Sequence, residues 1–309
     1  MINRRKFLQN TGALALGSFI LPMACAQRSG ESGETSNRIG KGNLGPIGLQ
    51  LYSIRDVLEQ DINGNLQKLG GMGYKEVESY PGAKGHYYGL SPEEFSKMVK
   101  GAGMELISSH VGSGNPNAES VDWRQANLSQ GFQAFADQAA KTGQQFLTCS
   151  FLSDSYRQNE DDLKKAVDLF DKSGQICKNA GMQFAYHNHD FEFEKIGDVV
   201  ILDYLIENTD PTLVKFELDM YWVERAGQSI QDYLRKYPNR FSLGHVKDMS
   251  KEDGSKNAVI GEGSINYKEV LAVAKENGMK HFFVEQETYT MSSMDSMKKS
   301  IEYLADLKV

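Results

Sequence analysis

The chain has 309 residues, of which 40% are hydrophobic and 24% are charged, and it contains only 3 Cys. This is the composition of a globular protein, and it excludes a disordered, collagen-like or disulfide-scaffold protein. The net charge of −7 argues against a nucleic-acid binder, because such proteins present a basic face. At this length the chain forms one large domain or two of ordinary size.

The first 26 residues have the layout of an export signal. The basic segment Arg4–Lys6 precedes an apolar run from Ala13 to Met23, and small residues follow. The run is shorter than the roughly 20 apolar residues that a permanent membrane span needs. Its Arg-Arg-x-Phe-Leu motif resembles a twin-arginine signal. We therefore expect an exported, periplasmic protein.

Two processing routes are open at the end of this signal. Ala24-Cys25-Ala26 fits the small-residue cleavage rule and predicts release after residue 26. The segment that ends at Cys25 also resembles a lipoprotein box, although Pro22 stands where that box prefers an aliphatic residue. A lipid anchor on Cys25 is therefore the alternative. Residues 27–45 are rich in Ser, Gly, Glu, Asn and Lys, which predicts a flexible linker.

Short apolar runs alternate with longer amphipathic stretches throughout residues 46–309. This alternation predicts parallel strands joined by helical crossovers. The length and the eight repeats indicate an α/β protein with a single (β/α)8 TIM barrel domain over residues 46–309. An open doubly wound sheet is the alternative, but no glycine-rich phosphate loop follows a strand. The predicted strands are Ile47–Tyr52, Glu76–Ser79, Glu105–His110, Phe146–Phe151, Gln183–His187, Leu213–Asp219, Phe241–Val246 and His281–Glu285.

The predicted helices carry start and stop signals. Helical periodicity covers Trp123–Lys141, Glu160–Ala180 and Tyr267–Asn277. Another helix begins at Ser91-Pro92-Glu93-Glu94, which supplies an N-cap and a proline in the first turn. Helices end three times in Gly-Met directly before a strand, which predicts a left-handed glycine stop. These dipeptides are Gly103-Met104, Gly181-Met182 and Gly278-Met279.

Polar side chains end four predicted strands in pairs spaced by two residues, so that both members share a face. The pairs are His187 with His189, Glu217 with Asp219, His245 with Lys247, and Glu285 with Glu287. His110 ends another strand, whereas we expect His86 and His281 to be ordinary loop or surface residues. The carboxyl ends of barrel strands build the active site, and imidazoles with carboxylates bind Zn, Mn, Co or Fe. We therefore expect one divalent metal ion there.

Five segments lie in order along the predicted strand ends. They are Gly48–Ser53, Tyr186–Asp190, Leu218–Trp222, Gly244–Asp248 and Val284–Gln286. Together they resemble the sugar phosphate isomerase/epimerase family, the xylose-isomerase-like barrels that include ketose 3-epimerases and inosose dehydratases. The resemblance implies one divalent metal held at four strand ends, at positions that match Asp219, His245 and Glu285. The fourth ligand is usually Glu within Glu-Asn-His, and His187 takes its place here.

The resemblance also implies proton removal from a carbon next to a carbonyl. The change to His187 means that the two-glutamate scheme of family epimerases does not carry over. A base acting near pH 7 is most easily a His, or a Lys whose pKa is lowered by burial beside a cation. For Lys247 the alternative is a salt bridge to Asp248 or another acid. Candidates for moving the proton are Glu285, Glu287, His189, Lys247 and His110, and those for binding substrate are Trp222, Tyr52, Arg55 and Glu287.

We therefore expect a metal-dependent carbohydrate isomerase or epimerase. Predicted export favours a non-phosphorylated keto-sugar or sugar derivative, because sugar phosphates are cytoplasmic metabolites and no phosphate cradle is visible. A lyase or hydratase that acts on a keto-glycoside through the same enolate is the rival. A non-catalytic sugar-binding protein is a remote alternative. A DNA-repair endonuclease, which shares this barrel, would need further ligands and a basic groove.

Overall fold

Eight parallel strands close into a barrel in the computed structural model, which describes residues 44–115 and 121–309. The strands are β1 (Ile47–Gln50), β2 (Glu76–Ser79), β3 (Glu105–Gly112), β4 (Phe146–Phe151), β5 (Gln183–His187), β6 (Val214–Asp219), β7 (Phe241–Val246) and β8 (His281–Val284). Each strand pairs with the next along the chain, and β1 closes the ring against β8. The predicted (β/α)8 fold is confirmed. The predicted signal, Cys25 and the linker through residue 43 lie outside the described residues.

Helices connect the strands and form the outer layer. They are α1 (Ile62–Met72), α2 (Pro92–Gly101), α3 (Phe132–Ala139), α4 (Glu160–Asn179), α5 (Ile201–Asn208), α6 (Met220–Arg225), α7 (Ile230–Lys236), α8 (Tyr267–Glu276) and α9 (Ser293–Asp306). Two short ribbons pair Lys195–Ile196 with Val199–Val200, and Asp248–Met249 with Asn257–Ala258. Within residues 44–115 and 121–309, no helix has the length and apolarity that crossing a membrane requires.

An apolar layer fills the lower part of the barrel. It consists of Ile107, Phe146, Ala185, Leu243 and Phe283. Gly48 on β1 makes room for this layer, because a Cβ atom there would lie 2.3 Å from the Phe283 ring. Several of these side chains stand two residues before a polar one on the same strand, and successive inward positions alternate along a strand. The polar side chains therefore lie directly above an apolar floor, towards the carboxyl ends of the strands.

The predicted helix signals operate as expected. Ser91 Oγ accepts the backbone N–H of Glu94 at 3.2 Å, and the Glu94 carboxylate accepts the N–H of Ser91 at 2.9 Å. At the other end of α2, Gly103 has φ +76° and the N–H of Met104 donates to the carbonyl of Val99 at 3.2 Å. Glycines also adopt positive φ before Met182 and Met279. Left-handed glycine thus ends these helices and turns the chain into the next strand.

The predicted helix over Trp123–Lys141 is wrong in its first half. Only Phe132–Ala139 forms α3, and Trp123–Gln125 makes a single 3-10 turn. The Asn127 side chain accepts the backbone N–H groups of the two residues before Gly131, and Gly131 has φ +69°. A local side-chain turn of this kind competes with the helix, so α3 begins only after the glycine.

Candidate active site

Three of the four predicted ligands meet above the apolar floor. Asp219, His245 and Glu285 bring ligand-type atoms within 4.8 Å of one another, and all three side chains are buried. Nδ1 of His245 lies 3.0 Å from Oε2 of Glu285 and 3.8 Å from Oδ2 of Asp219. The fourth, His187, approaches from β5, with its Nε2 3.9 Å from Oδ2 of Asp219. Strand ends that are far apart in sequence therefore converge on one oxygen, Asp219 Oδ2.

Two fully buried glutamates lie beneath this group and contact three histidines. Oε2 of Glu217 is 3.0 Å from Nε2 of His110, 3.1 Å from Nδ1 of His187 and 3.2 Å from Nε2 of His245. Oε1 of Glu78 is 3.0 Å from Nε2 of His110 and 2.8 Å from Nε2 of His245. The cluster thus has an upper layer that faces the cleft and a lower layer of carboxylate–imidazole pairs.

The lower layer brings charges of opposite sign together. Burial by itself would lower the pKa of His110, but the charge of Glu78 and hydrogen bonds to both glutamates outweigh it and raise the pKa to about 9. Burial likewise favours the neutral form of Glu217, but the charge of His245 and three imidazole hydrogen bonds hold its pKa well below the usual range. At neutral pH the His110 ring is therefore a cation set between two carboxylates.

The upper layer has the chemistry of a metal site. Oδ2 of Asp219 is buried and has no hydrogen-bond partner in the part of the chain that the structure describes. A buried carboxylate oxygen without a partner is costly, and a bound cation removes that cost. Two imidazoles and two carboxylates suit Zn and its first-row neighbours. The residues present therefore fit a single divalent ion.

Lys247 follows β7 and is held by three acids. Its Nζ lies 3.5 Å from Oδ2 of Asp219 and 3.1 Å from Oε2 of Glu285, and it also pairs with Glu287. Burial alone would lower the pKa of Lys247, but these acids outweigh burial and raise it. The salt bridges expected as one alternative for Lys247 are observed, whereas the lowered pKa expected beside a bound cation stays a prediction. Asp248 is not the partner, because its carboxylate accepts backbone N–H groups instead.

His189 lies above β5 as a neutral ring. It stacks on Phe191 and packs against Trp222, with ring centroids 5.7 and 5.4 Å away. Burial, together with the charges of His187 and Lys247, lowers its pKa to about 2. Nδ1 of His189 and Nε1 of Trp222 are both buried without a hydrogen-bond partner among the described residues. His189 also lines the cleft described below, so a ligand hydroxyl bound there would satisfy its Nδ1.

A cleft of about 330 Å³ opens above the cluster. Two aromatic side chains stand at its mouth and stay partly in solvent, Tyr52 at 37% and Phe151 at 43% exposure. Arg55 lies over the Tyr52 ring at 4.4 Å but donates to the backbone carbonyls of Tyr52 and Glu287, so it braces the rim. The cleft is lined by Tyr52, Tyr80, Pro81, His110, Ser150, Phe151, His187, His189, Glu285 and Glu287.

Sequence reasoning missed three buried polar residues near the site. Glu78 is part of the lower layer, and Gln50 donates to its Oε1 at 2.8 Å. Glu192 accepts the backbone N–H of His189 at 2.7 Å and so fixes the turn after β5; burial raises its pKa to about 7. The Glu-Val-Glu alternation of β2 was a usable signal, since both acids share one face of a barrel strand.

The expectation for His86 and His281 is half correct. Both lie away from the cluster, but neither is a surface residue. His86 stacks on Phe135 at 3.8 Å and its Nε2 lies 3.0 Å from the carbonyl of Ala126. Nδ1 of His281 lies 3.0 Å from Oε2 of Glu76 at the amino end of the barrel. Apolar packing and a local partner bury these rings where the sequence shows only isolated histidines.

Comparisons with known proteins show which family this chain is similar to. A family profile for xylose isomerase-like TIM barrels matches residues 66–307. A sugar phosphate isomerase/epimerase from Parabacteroides distasonis is 29% identical and superimposes with a TM-score of 0.72, covering 89% of this chain and 96% of that one. The IolI protein, solved with a bound zinc atom, is 13% identical with a TM-score of 0.68, covering 85% and 97%.

An inosose dehydratase from Clostridium perfringens is 25% identical over 174 residues. The match covers 49% of this chain and 57% of that protein, so the chain spans little more than half the length of this curated relative. The profile match covers far more than half of the chain, and the closed eight-stranded barrel agrees with it. The chain belongs to the xylose isomerase-like TIM barrel family.

Proposed function

We propose that this protein is a metal-dependent carbohydrate isomerase or epimerase. It removes a proton next to the carbonyl of a non-phosphorylated keto-sugar or sugar derivative. The observation that carries the proposal is the convergence of Asp219, His245 and Glu285, in which the buried Oδ2 of Asp219 accepts no hydrogen bond from the described residues. Glu285 of this group and the neighbouring His187 line a cleft large enough for a small molecule. The name of the Parabacteroides distasonis relative supports the reaction class.

We assign the metal to His187, Asp219, His245 and Glu285. Mn, Co, Zn and Fe all accept this mixture of ligands, and the zinc atom in the IolI structure supports a site of this kind. When bound, the ion polarises the substrate carbonyl and stabilises the negative charge that develops on its oxygen.

Glu287 is the carboxylate that we assign to take the proton. Its side chain lines the cleft and remains 35% exposed, so it can reach substrate. The buried ammonium of Lys247 holds it in place and puts positive charge where negative charge develops on substrate. His189 is a poor base because its pKa lies near 2, and it instead offers Nδ1 to a sugar hydroxyl. The rings of Tyr52 and Phe151 cover the apolar face of the sugar.

The cleft favours an uncharged substrate. Its ionisable lining includes the carboxylates of Glu285 and Glu287, and no Lys or Arg occurs among the described residues that line it. A phosphate placed there would face these acids, and the nearby ammonium of Lys247 is already engaged by Glu285 and Glu287. Arg55 is nearby, but its donors already serve backbone carbonyls. The lining therefore supports a neutral keto-sugar over a sugar phosphate.

A lyase or hydratase acting on the same enolate is the second candidate. It is favoured by the inosose dehydratase relative and by His187 at the position where the resemblance implies Glu. With one carboxylate fewer, proton transfer on both faces of a sugar is harder. Expulsion of a β-substituent needs proton removal on one face and protonation of the leaving group.

The experiment that tests both candidates is proton NMR in heavy water. Protein loaded in turn with Mn, Co, Zn and Fe is incubated with a panel of ketoses and keto-glycosides. Deuterium next to the carbonyl of a rearranged sugar supports the isomerase. Loss of water or an aglycone supports the lyase. Metal-loaded protein that exchanges no proton in any substrate contradicts both.

We also propose that the protein is exported to the periplasm. The basic, apolar and small-residue segments of residues 1–26 support this location. Cell fractionation should place the mature protein outside the cytoplasm. If Cys25 carries a lipid, a Cys25→Ser variant will move from the membrane to the soluble fraction, whereas ordinary cleavage predicts no change.

A further inference from the structure

Each of the two ligand histidines has one ring nitrogen in the upper layer and one in the lower layer. Nε2 of His187 and Nδ1 of His245 lie 3.9 and 3.8 Å from the same oxygen, Oδ2 of Asp219. The opposite nitrogens contact carboxylates beneath. Nδ1 of His187 is 3.1 Å from Oε2 of Glu217, and Nε2 of His245 is 2.8 Å from Oε1 of Glu78.

An imidazole that donates its N–H to a carboxylate has its proton fixed on that nitrogen, and its other nitrogen presents a lone pair. We propose that Glu217 and Glu78 are positioning residues, which hold His187 and His245 in the tautomers and orientations that bind the metal. This inference rests on the metal centre of the proposed function. It assigns a role to two residues that do not belong to the predicted ligand set.

His110 completes the arrangement. Its Nε2 lies 3.0 Å from both Glu78 and Glu217, so one ring bridges the two carboxylates. Both glutamates are fully buried, and neither could remain there as an uncompensated anion. His110 also lines the cleft, so its ring separates the two carboxylates from solvent while holding them towards the imidazoles.

The lower layer has a competing interpretation as a second cation site. His110, His187, Glu217 and His245 also bring ligand-type atoms within 4.8 Å of one another. The contacts favour the positioning role, because Oε2 of Glu217 lies within hydrogen-bond distance of a nitrogen on each of the three rings. One metal ion per chain is thus expected, and two would support the competing site.

The barrel offers a matched control on the same strand. Glu76 stands two residues before Glu78 on β2, is also buried, and lies 3.0 Å from Nδ1 of His281. This pair is a buried carboxylate–imidazole contact like those of the lower layer, but it lies below the apolar floor. Glu76→Gln therefore reproduces the loss of a buried charge without touching the proposed metal centre.

The test is a cobalt titration of wild type, Glu217→Gln, Glu78→Gln and Glu76→Gln in competition with a chelating dye. Loss of a carboxylate behind a ligand histidine weakens metal binding by about 10- to 100-fold. We expect that loss, and an altered visible spectrum of the bound cobalt, for Glu217→Gln and Glu78→Gln only. Wild-type affinity in both variants, an equal loss in Glu76→Gln, or two tightly bound ions per chain would overturn the proposal.

A measurement on the wild type keeps the test decisive if a variant fails to fold. Cobalt-loaded protein should show two paramagnetically shifted N–H proton signals in water, from His187 Nδ1 and His245 Nε2, which vanish in heavy water. Absence of exchangeable shifted signals contradicts the assignment. If cobalt binding behaves as expected but no sugar is turned over, the proposed function fails and this inference stands. If sugar is turned over but Glu217→Gln and Glu78→Gln bind cobalt with wild-type affinity, this inference fails and the proposed function stands.

Discussion

Both ends of the barrel contain buried carboxylates next to histidines, but the two ends differ in how many of the carboxylate oxygens have hydrogen-bond partners. At the amino end, Glu76 has both carboxylate oxygens 3.0 to 3.1 Å from Nδ1 of His281. Two residues further along the same strand, Glu78 belongs to a cluster with unpaired buried atoms. Oε2 of Glu78, Oε1 of Glu217 and Oδ2 of Asp219 have no hydrogen-bond partner among the described residues.

This difference separates structural pairs from functional ones. A buried polar atom without a partner costs about 1–3 kcal/mol, so several in one place are retained only where something else is gained. The Glu76–His281 pair uses its hydrogen-bonding capacity internally and stabilises the barrel. The cluster at the carboxyl end keeps capacity for a ligand. Single unpartnered atoms, such as Asp203 Oδ1 and Arg240 Nε, also occur elsewhere in the described residues, so it is the concentration of three such carboxylate oxygens in one cluster that distinguishes the site.

The largest expected effect comes from Asp219→Ala, which removes the oxygen on which the ligand histidines converge. Metal binding and turnover should be lost together, because losing the ion removes several kcal/mol of transition-state stabilisation, about 10³-fold in rate. Metal content by mass spectrometry and turnover of the sugar found in the panel measure both. His281→Gln is the control at the opposite end and should retain both. An Asp219→Ala protein that keeps metal and activity removes the ligand assignment.

A smaller loss is expected from Glu287→Gln, which changes a cleft carboxylate outside the ligand set. Turnover should fall by about 10²- to 10⁴-fold, because a positioned general base contributes that much. Metal content should stay at the wild-type value. Steady-state kinetics with parallel metal analysis distinguishes this variant from Asp219→Ala. An unchanged kcat would show that Glu287 does not act as the general base, and Glu285 would then be the remaining candidate carboxylate for that role.

Most of the fold could be predicted because its strands and helices follow from local sequence patterns. Apolar runs of strand length alternate with amphipathic stretches, and Gly-Met stops such as Gly103-Met104 mark where one becomes the other. The wrong helix over Trp123–Lys141 shows the limit. There the Asn127 side-chain turn and the positive φ of Gly131 compete with the helix that the periodicity predicts. Periodicity alone does not show which of these local preferences prevails.

The positions of site residues at strand ends could be predicted from the sequence. The contacts that these side chains make across the barrel could not. Asp219 and His245 follow the spacing of two along neighbouring strands, which places them at one edge. That Glu78 contacts His245, 167 positions away, depends on barrel closure and is invisible locally. The partners of Lys247 were hidden for the same reason, since the acids that pair with it follow other strands.

His281→Gln should affect stability and leave chemistry unchanged. The variant leaves the buried Glu76 carboxylate with a weaker partner, so the free energy of unfolding should fall by about 1–3 kcal/mol. Urea denaturation measures this loss, and the cobalt titration should give the wild-type affinity. A change in cobalt affinity would show that the two ends of the barrel are coupled, and the distinction drawn between them would no longer hold.

An effect of similar size, seen only as a pH dependence, concerns His86, a buried histidine held by a ring and a carbonyl instead of a carboxylate. Burial lowers its pKa to about 4, although its hydrogen bond to Ala126 acts in the opposite direction. An unfolded histidine titrates near 6.5, so between pH 6.5 and 4 the unfolded chain binds a proton that the folded protein does not. The free energy of unfolding should therefore fall as the pH falls through this window, by about 1 kcal/mol per pH unit.

Comparing wild type with His86→Gln isolates this contribution, because the other titrating groups are common to both proteins. The difference in unfolding free energy should be constant above pH 6.5 and should shift in favour of the variant as the pH falls towards 4. Parallel pH curves would mean that His86 is protonated in the folded state. A buried histidine without a carboxylate partner would then carry charge, and partner satisfaction would no longer separate the structural histidines from those of the site.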